Sequence, residues 1–302
     1  MGKQTIAKIA AIYAGLVFGI YWIPLREMEN GGLDGLWAVA LFNLAALLLV
    51  LPLIVHRWGV LITGRFRFHL CGFVTGLSFT LYAGAFLYTD VIRVIVLFYL
   101  MPVWGFLFAR VVIGEKITGA RWVSMALGMG GLVVICGVEN GIPLPRNAGD
   151  WMALLGGVLW AAASLMLLTD RRDPLDYALG FLFWSAVLGV FGSMMLTVSG
   201  TAALPSWSAV DDMAVWLIPF VLIVVVPASY AVVFGPSHLN PGVVGLLFMT
   251  EISVATLTAA LLTDEPFGTK EIVGVVLISL AGVAEPVFQA FKGNRVTDPN
   301  IS

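Results

Sequence analysis

Apolar residues in this chain run in long unbroken blocks, and the polar positions gather in short intervals between them. Ten blocks emerge, at about 6–25, 34–56, 68–89, 91–113, 118–138, 149–169, 176–200, 212–235, 241–262 and 270–290. A hydrocarbon core about 30 Å thick takes about 20 apolar residues of helix to cross, so each block is predicted to be a membrane-spanning helix. Strands of a membrane barrel would be about ten residues long and alternate in polarity, whereas runs such as Val39 to Val55 do not alternate. Lys3 and Lys8 precede the first block as they would in a secretory leader. That block lacks a small-residue cleavage site and a second apolar block follows at once, so it is read as the first span.

Composition agrees with the pattern. Hydrophobic residues make up 60% of the chain, charged residues 11%, and the mean hydropathy is +0.98, whereas soluble domains carry about 25% charged residues. The expected class is an all-α integral membrane protein. Of the sixteen Lys and Arg, alternation of ten spans puts twelve on the side of the N-terminus: Lys3, Lys8, Arg57, Arg65, Arg67, Arg110, Lys116, Arg121, Arg171, Arg172, Lys292 and Arg295. The other side receives four, Arg26, Arg93, Arg146 and Lys270. In loops this short the excess marks the cytoplasmic face, so both termini are expected in the cytoplasm and the chain in the inner (plasma) membrane. The net charge of −2 identifies no partner, and no nucleic-acid partner is expected. Cys71 and Cys136 fall near opposite membrane faces. A disulfide needs Cα atoms within about 7 Å, so both are expected to be free thiols. The longest connections lie around 57–67, 138–148 and 200–212 and hold no soluble domain, which leaves any binding to the bundle itself. Trp37, Trp58, Trp122, Trp151, Trp207 and Trp216 sit near span ends, as in an aromatic belt.

The chain also repeats itself. Shifted by 150 residues, Val94, Leu97, Phe98, Leu107, Ala109, Glu115, Val123, Leu127 and Val133 meet Val244, Leu247, Phe248, Leu257, Ala259, Glu265, Val273, Leu277 and Val283. Glu115 and Glu265 each fall just before the last span of a five-span half. An odd number of spans per half makes the second half enter from the opposite face, so the repeats are inverted, with a substrate site expected near the midplane between them. The predicted architecture is ten transmembrane helices as two inverted five-helix repeats, residues 1–140 and 147–292, around a central cavity, with a cytoplasmic tail at 293–302.

Pro102 followed by Gly114-Glu115, and Asp264-Glu265 followed by a small-residue last span with Gly274 and Gly282, carry a family resemblance. The chain resembles the EamA-type members of the drug/metabolite transporter superfamily, and within them the YddG-type exporters of aromatic and other neutral amino acids. The resemblance implies that spans 3, 4, 8 and 9 wall the cavity, with 1, 2, 6 and 7 around them and 5 and 10 peripheral. The second half departs from the pattern in having Glu251-Ile252 where the first has Met101-Pro102.

Individual residues sharpen the picture. From Met213 to Thr250 thirty-eight residues pass without Asp, Glu, Lys or Arg, and Glu251 then stands alone in an apolar stretch. A carboxylate at membrane depth is costly unless a wet cavity or a partner receives it. Three roles are open to it: binding an amine, exchanging a proton, or donating a hydrogen bond to a neighbouring helix. Phe248 lies near its face. In span 3, Cys71, Thr75, Ser78, Tyr82, Ala85 and Thr89 recur at helical spacing, a stripe that either meets another helix or lines water. Tyr82 is suited to stacking on a ligand or bonding to it. Span 4 offers Tyr99 close to Pro102, which removes a backbone bond and can kink the helix. Arg93 either attracts a substrate carboxylate or reaches to headgroups. Span 8 contributes Tyr230 with Ser229, Pro219 and Pro227, and span 6 Trp160 and Ser164. Trp22 is a secondary candidate, His238 is read as interfacial, and Asn43 as a helix-to-helix bond. Gly15-to-Gly19 in span 1 matches Gly157-to-Ala161 in span 6, a spacing that lets helices approach closely. Gly128 and Gly131 of span 5 face Gly274 and Gly282 of span 10 as packing struts.

The candidate substrate-binding set is thus Tyr82, Tyr99, Ser78, Phe248, Glu251, Trp160, Ser164 and Tyr230. No phosphate-cradling loop, HExxH or His/Cys cluster occurs, so no cofactor, metal or catalytic residue is expected, and the chain is not read as an enzyme. The expected function is secondary transport or facilitated export of small neutral metabolites, aromatic and other neutral amino acids in particular, by alternating access. A drug or lipophilic-compound exporter of the same fold, or a non-transporting receptor, are the alternatives. The partners are that small molecule and the surrounding lipid. Sequence leaves the coupling and the oligomeric state open.

Overall fold

A computed structural model of the chain describes residues 2–33, 36–64, 66–86, 88–89, 91–136, 145–170, 172–262, 268–270 and 272–281. Among the described residues the regular elements are helices, with no strand. The helices are α1 (Lys3–Gly19), α2 (Trp22–Asn30), α3 (Leu36–Leu49), α4 (Leu51–His56), α5 (Trp58–Thr63), α6 (Phe66–Ala85), α7 (Val91–Phe98), α8 (Met101–Val112), α9 (Gly119–Cys136), α10 (Ala148–Thr169), α11 (Pro174–Val198), α12 (Trp207–Phe220), α13 (Val226–Phe234), α14 (Pro241–Phe248), α15 (Thr250–Leu262) and α16 (Ile272–Ala281). Among the described residues, six helical stretches are long and apolar enough to cross a membrane: Lys3–Asn30, Phe66–Ala85, Ala148–Thr169, Pro174–Val198, Trp207–Phe234 and Pro241–Leu262. Shorter apolar helices occupy the other blocks. Asp264, Glu265, Gly282, Lys292 and Arg295, like the Cys136 side chain, lie outside the described residues.

Polar side chains mark where helices begin. Asn147 accepts from the backbone N–H of Asp150, Asp173 from Leu175, Ser206 from Ala209 and Asn240 from Gly242, each filling a donor that a helix start leaves open. Pro174 and Pro241 open α11 and α14, where a missing N–H costs nothing. Gly114, at φ +68°, turns the chain out of α8 in the left-handed region that side chains avoid. Between Pro219 and Pro227, residues 221–225 widen into a π-helical turn joining α12 to α13.

The packing follows a regular scheme. α10 lies against α6, α7 and α8, while α1 lies against α13, α14 and α15. α11 packs on α3 and α6, and α8 crosses α14. At that crossing Gly105 faces the backbone of Gly242, and a Cβ there would stand 2.7 Å from the Gly242 nitrogen. On the periphery, a Cβ at Gly131 of α9 would stand 2.7 Å from the Gly274 carbonyl of α16, the strut expected from their small residues.

Among the apolar blocks whose helices are interrupted, the fourth and the ninth break at corresponding places. α7 gives way to α8 at Tyr99 and Leu100, and α14 to α15 at Met249. The causes differ. Pro102 has no N–H to offer the Phe98 carbonyl, the partner an unbroken helix would give it. Ile252 stands at the matching position and has an N–H, but it bonds to the Met249 carbonyl at 3.0 Å. The Phe248 carbonyl instead accepts from the Tyr99 hydroxyl at 3.1 Å. Gly157 of α10 sits against the Phe98 carbonyl, and Gly15 of α1 against Thr250 and the Phe248 carbonyl. The matched small-residue positions of spans 1 and 6 therefore each meet a break.

Contacts between helix ends form two groups. At one end Arg57 pairs with Asp173 at 2.9 Å and Asp176 at 2.6 Å. There, too, Glu115 pairs with Arg121 at 2.6 Å and accepts from Asn240. The N–H of Leu175, and then the Arg57 guanidinium, hold the Asp173 carboxyl below the usual carboxylate range. The second group is built on Asp150, fully buried, which accepts from Thr89 at 2.8 Å, from the Arg146 backbone N–H at 2.8 Å and from Arg93 at 2.5 Å. Trp37 is buried there and donates to Thr197 at 3.0 Å, so it leaves the expected aromatic belt, whereas Trp58, Trp122, Trp151, Trp207 and Trp216 are exposed.

Candidate functional site

The breaks in α7–α8 and α14–α15 put three polar side chains in one buried place. Tyr82, three residues before the end of α6, donates its hydroxyl to Glu251 Oε1 at 2.6 Å. Tyr99, at the first break, stands 2.5 Å from Glu251 Oε2. Glu251, in the first turn of α15, is 8% exposed, Tyr82 7% and Tyr99 0%. Both tyrosines belong to the first half of the chain and the acid to the second, so the clasp joins the halves. The Tyr99 hydroxyl has one proton and two acceptors within reach, Glu251 Oε2 and the Phe248 carbonyl. A proton on Glu251 Oε2 would satisfy all three groups, because Glu251 would then donate to Tyr99 and Tyr99 to Phe248.

Around the clasp lies a partly open cavity lined by Gly15, Phe18, Phe79, Tyr82, Phe98, Tyr99, Trp160, Phe181, Val232, Phe248 and Glu251. The aromatic walls are mutually braced. Tyr82 and Phe98 have ring centroids 4.1 Å apart, Phe79 and Phe181 5.5 Å, and Trp160 and Phe248 6.1 Å, mostly edge-on or tilted. Trp160 is 5% exposed and its indole Nε1–H is buried without a hydrogen-bond partner. An unmet donor in a cavity wall is costly, and an acceptor arriving in the cavity would remove that cost. Such a site can hold a small molecule with an apolar body. Glu251 can take an ammonium or a proton, and the rings can take a hydrocarbon or a cationic face.

Of the eight sequence candidates, Tyr82, Tyr99, Phe248, Glu251 and Trp160 come together on the cavity. Ser78, Ser164 and Tyr230 are not among its lining residues. Ser78 spends its hydroxyl on the Gly156 carbonyl at 2.7 Å, fixing α6 to α10, and Ser164 bonds to the Trp160 carbonyl at 2.8 Å within its own helix. Tyr230 is 38% exposed on the outer face of α13 and packs on Phe234. Thr75 likewise bonds back to the Cys71 carbonyl at 2.9 Å, so only Tyr82 of the span 3 stripe turns to the cavity. Arg93 is engaged with Asp150, Trp22 donates to Thr258 at 3.2 Å, and the His238 ring contacts the Phe234 carbonyl at 3.0 Å. Asn43 is buried with its Nδ2 unpartnered, so no helix-to-helix bond from that nitrogen is formed. Cys71 is buried and free. Sequence reasoning missed Gly15 as a lining residue, along with Phe18, Phe79, Phe98, Phe181 and Val232. Phe98 had a signal, since it is the 150-residue counterpart of Phe248.

No curated protein matches the chain. A crystal structure of a protein 18% identical in sequence superposes with a TM-score of 0.70, covering 93% of this chain and 98% of that one, so the two share a fold. The first half carries a family pattern as well: residues 5–137 match the EamA-like transporter family.

Proposed function

We propose that the chain is a secondary transporter that exports small metabolites built from an amino group and an apolar body, aromatic and other neutral amino acids among them, by alternating access. In this reading ten helices form two inverted five-helix repeats, 1–140 and 147–292, in the inner (plasma) membrane. Both termini and the tail at 293–302 are cytoplasmic. The observation that carries it is the buried aromatic cavity whose carboxylate, Glu251, is held by Tyr82 and Tyr99 from the other half. A site at the junction of two halves, beside two helix breaks, is where transporters built from repeats bind their cargo. The EamA-like match of residues 5–137 supports transport as the function. The packing scheme supports the repeat: the sixth apolar block lies on the third and fourth, and adding five gives the first block on the eighth and ninth, the pairing observed.

Counterflow tests this reading. Liposomes containing the purified protein and loaded with unlabelled phenylalanine should accumulate labelled phenylalanine above protein-free liposomes, and leucine or tryptophan inside should serve as well. Absence of counterflow for every neutral amino acid, with the protein folded and inserted, would refute it. Glu251→Gln should abolish any dependence of the flux on a pH gradient if Glu251 is the exchanging group, and retained dependence would remove that role.

A further inference from the structure

We propose, resting on the transport reading above, that the cavity selects its ligand by a single positive charge, so that arylalkyl ammonium compounds are preferred over the zwitterionic amino acids of the same skeleton. Among the described residues, the cavity wall contains one carboxylate and eight aromatic side chains, and no Lys, Arg or His lines it. With Glu251 ionised, an ammonium entering beside it meets an opposite charge and electron-rich ring faces, both of which favour it in a site shielded from water. A ligand carboxylate meets the reverse. It has no cation to pair with, stands near another carboxylate, and finds one uncommitted donor on the described wall, the neutral Nε1–H of Trp160. Burying an ionised carboxylate on one neutral hydrogen bond is unfavourable. The basic residue nearest in role, Arg93, is engaged with Asp150. Trp160 Nε1–H instead suits a neutral acceptor, such as an amide or ether oxygen on the ligand.

Four ligands that share a phenyl ring and a short chain isolate each group: phenethylamine, phenylalaninamide, phenylalanine and 3-phenylpropanoate. Calorimetric binding to the purified full-length protein in detergent at neutral pH reads their affinities. The two compounds whose only charge is the ammonium should bind at least about tenfold tighter than phenylalanine, a gap of about 1.4 kcal/mol. 3-Phenylpropanoate should bind more weakly than phenylalanine. Glu251→Gln should reduce the phenethylamine affinity at least about tenfold and narrow the gap between the ligands. If that variant does not fold, the order among the four ligands on the wild-type protein decides alone. Phenylalanine binding as tightly as phenethylamine, or 3-phenylpropanoate binding best, would overturn the proposal. Counterflow of phenylalanine would then still uphold transport, so the two failures are separable.

Discussion

Glu251 is held by two phenol hydroxyls at 2.6 and 2.5 Å in a place where water contributes little, so the three side chains should behave as one unit. Tyr82→Phe and Tyr99→Phe each remove one hydrogen bond from a buried acid, and each should cost about 1–3 kcal/mol of stability. Residues that share a partner do not contribute additively. In a Glu251→Gln background the same tyrosine changes should therefore cost measurably less. Thermal melts of the six proteins in detergent close the cycles, and equal costs in both backgrounds would mean that no clasp exists. Tyr82, Tyr99, Trp160 and Glu251 were legible in the sequence because each stands out chemically within an apolar helix, and a wet cavity is one reason for such a residue to persist. Ser78 and Ser164 stood out equally, but a hydroxyl can be satisfied by a carbonyl on its own or a neighbouring helix, and sequence does not separate the two outcomes. Phe18, Phe79 and Phe181 were illegible for the opposite reason. A phenylalanine that lines a cavity and one that packs a core have the same spacing and the same chemistry.

At the scale of the element, the α7–α8 break was written in the chain by Pro102, whereas the α14–α15 break was not. Nothing local in Phe248-Met249-Thr250 forbids a continuous helix. There the Tyr99 hydroxyl, from between α7 and α8, takes the carbonyl that Ile252 leaves, and such tertiary capture is invisible to local reading. The 150-residue register would have placed it, since Met249 is the counterpart of Tyr99. The α8–α14 crossing and the α7–α8 break rely on glycines for close approach, and these can be tested against a glycine that does not. A Cβ at Gly105 would press on the Gly242 backbone at 2.7 Å, and one at Gly157 would collide with the Phe98 carbonyl, whereas one at Gly130 in α9 would meet nothing within 4 Å. Gly105→Ala and Gly157→Ala should each destabilise by about 1–3 kcal/mol, because neither neighbour is a side chain that can swing away. Gly130→Ala should be neutral or stabilise by up to about 1 kcal/mol through helix propensity. Melting temperatures in detergent check the contrast, and three equal responses would mean that the close crossings do not form.

For the whole molecule, the arrangement of the helix ends bears on threading through the bilayer. With ten spans, the connections after spans 2, 4, 6 and 8 share one face, and those after spans 1, 3, 5, 7 and 9 share the other. Arg57 reaches Asp173 and Asp176, joining the connections after spans 2 and 6, and Asn240 reaches Glu115, joining those after spans 4 and 8. Arg93 and Thr89 reach Asp150, joining the connections after spans 3 and 5. Each of these contacts pairs ends that alternation puts on the same face, a result that a miscounted span between them would disturb. Combined with the twelve of sixteen basic residues that ten-span alternation would put on the face of the N-terminus, the scheme makes a definite forecast for labelling. In a background with Cys71 and Cys136 replaced, single cysteines at Asn30 and Thr201 should react with a membrane-impermeant maleimide on intact cells. Cysteines at Thr63 and Thr118 should react only after permeabilisation. All four native side chains are exposed, so burial does not confound the comparison. Thr63 and Thr118 labelling from opposite faces would break the alternation between spans 2 and 5, and with it the inverted pairing of halves on which a shared central cavity depends.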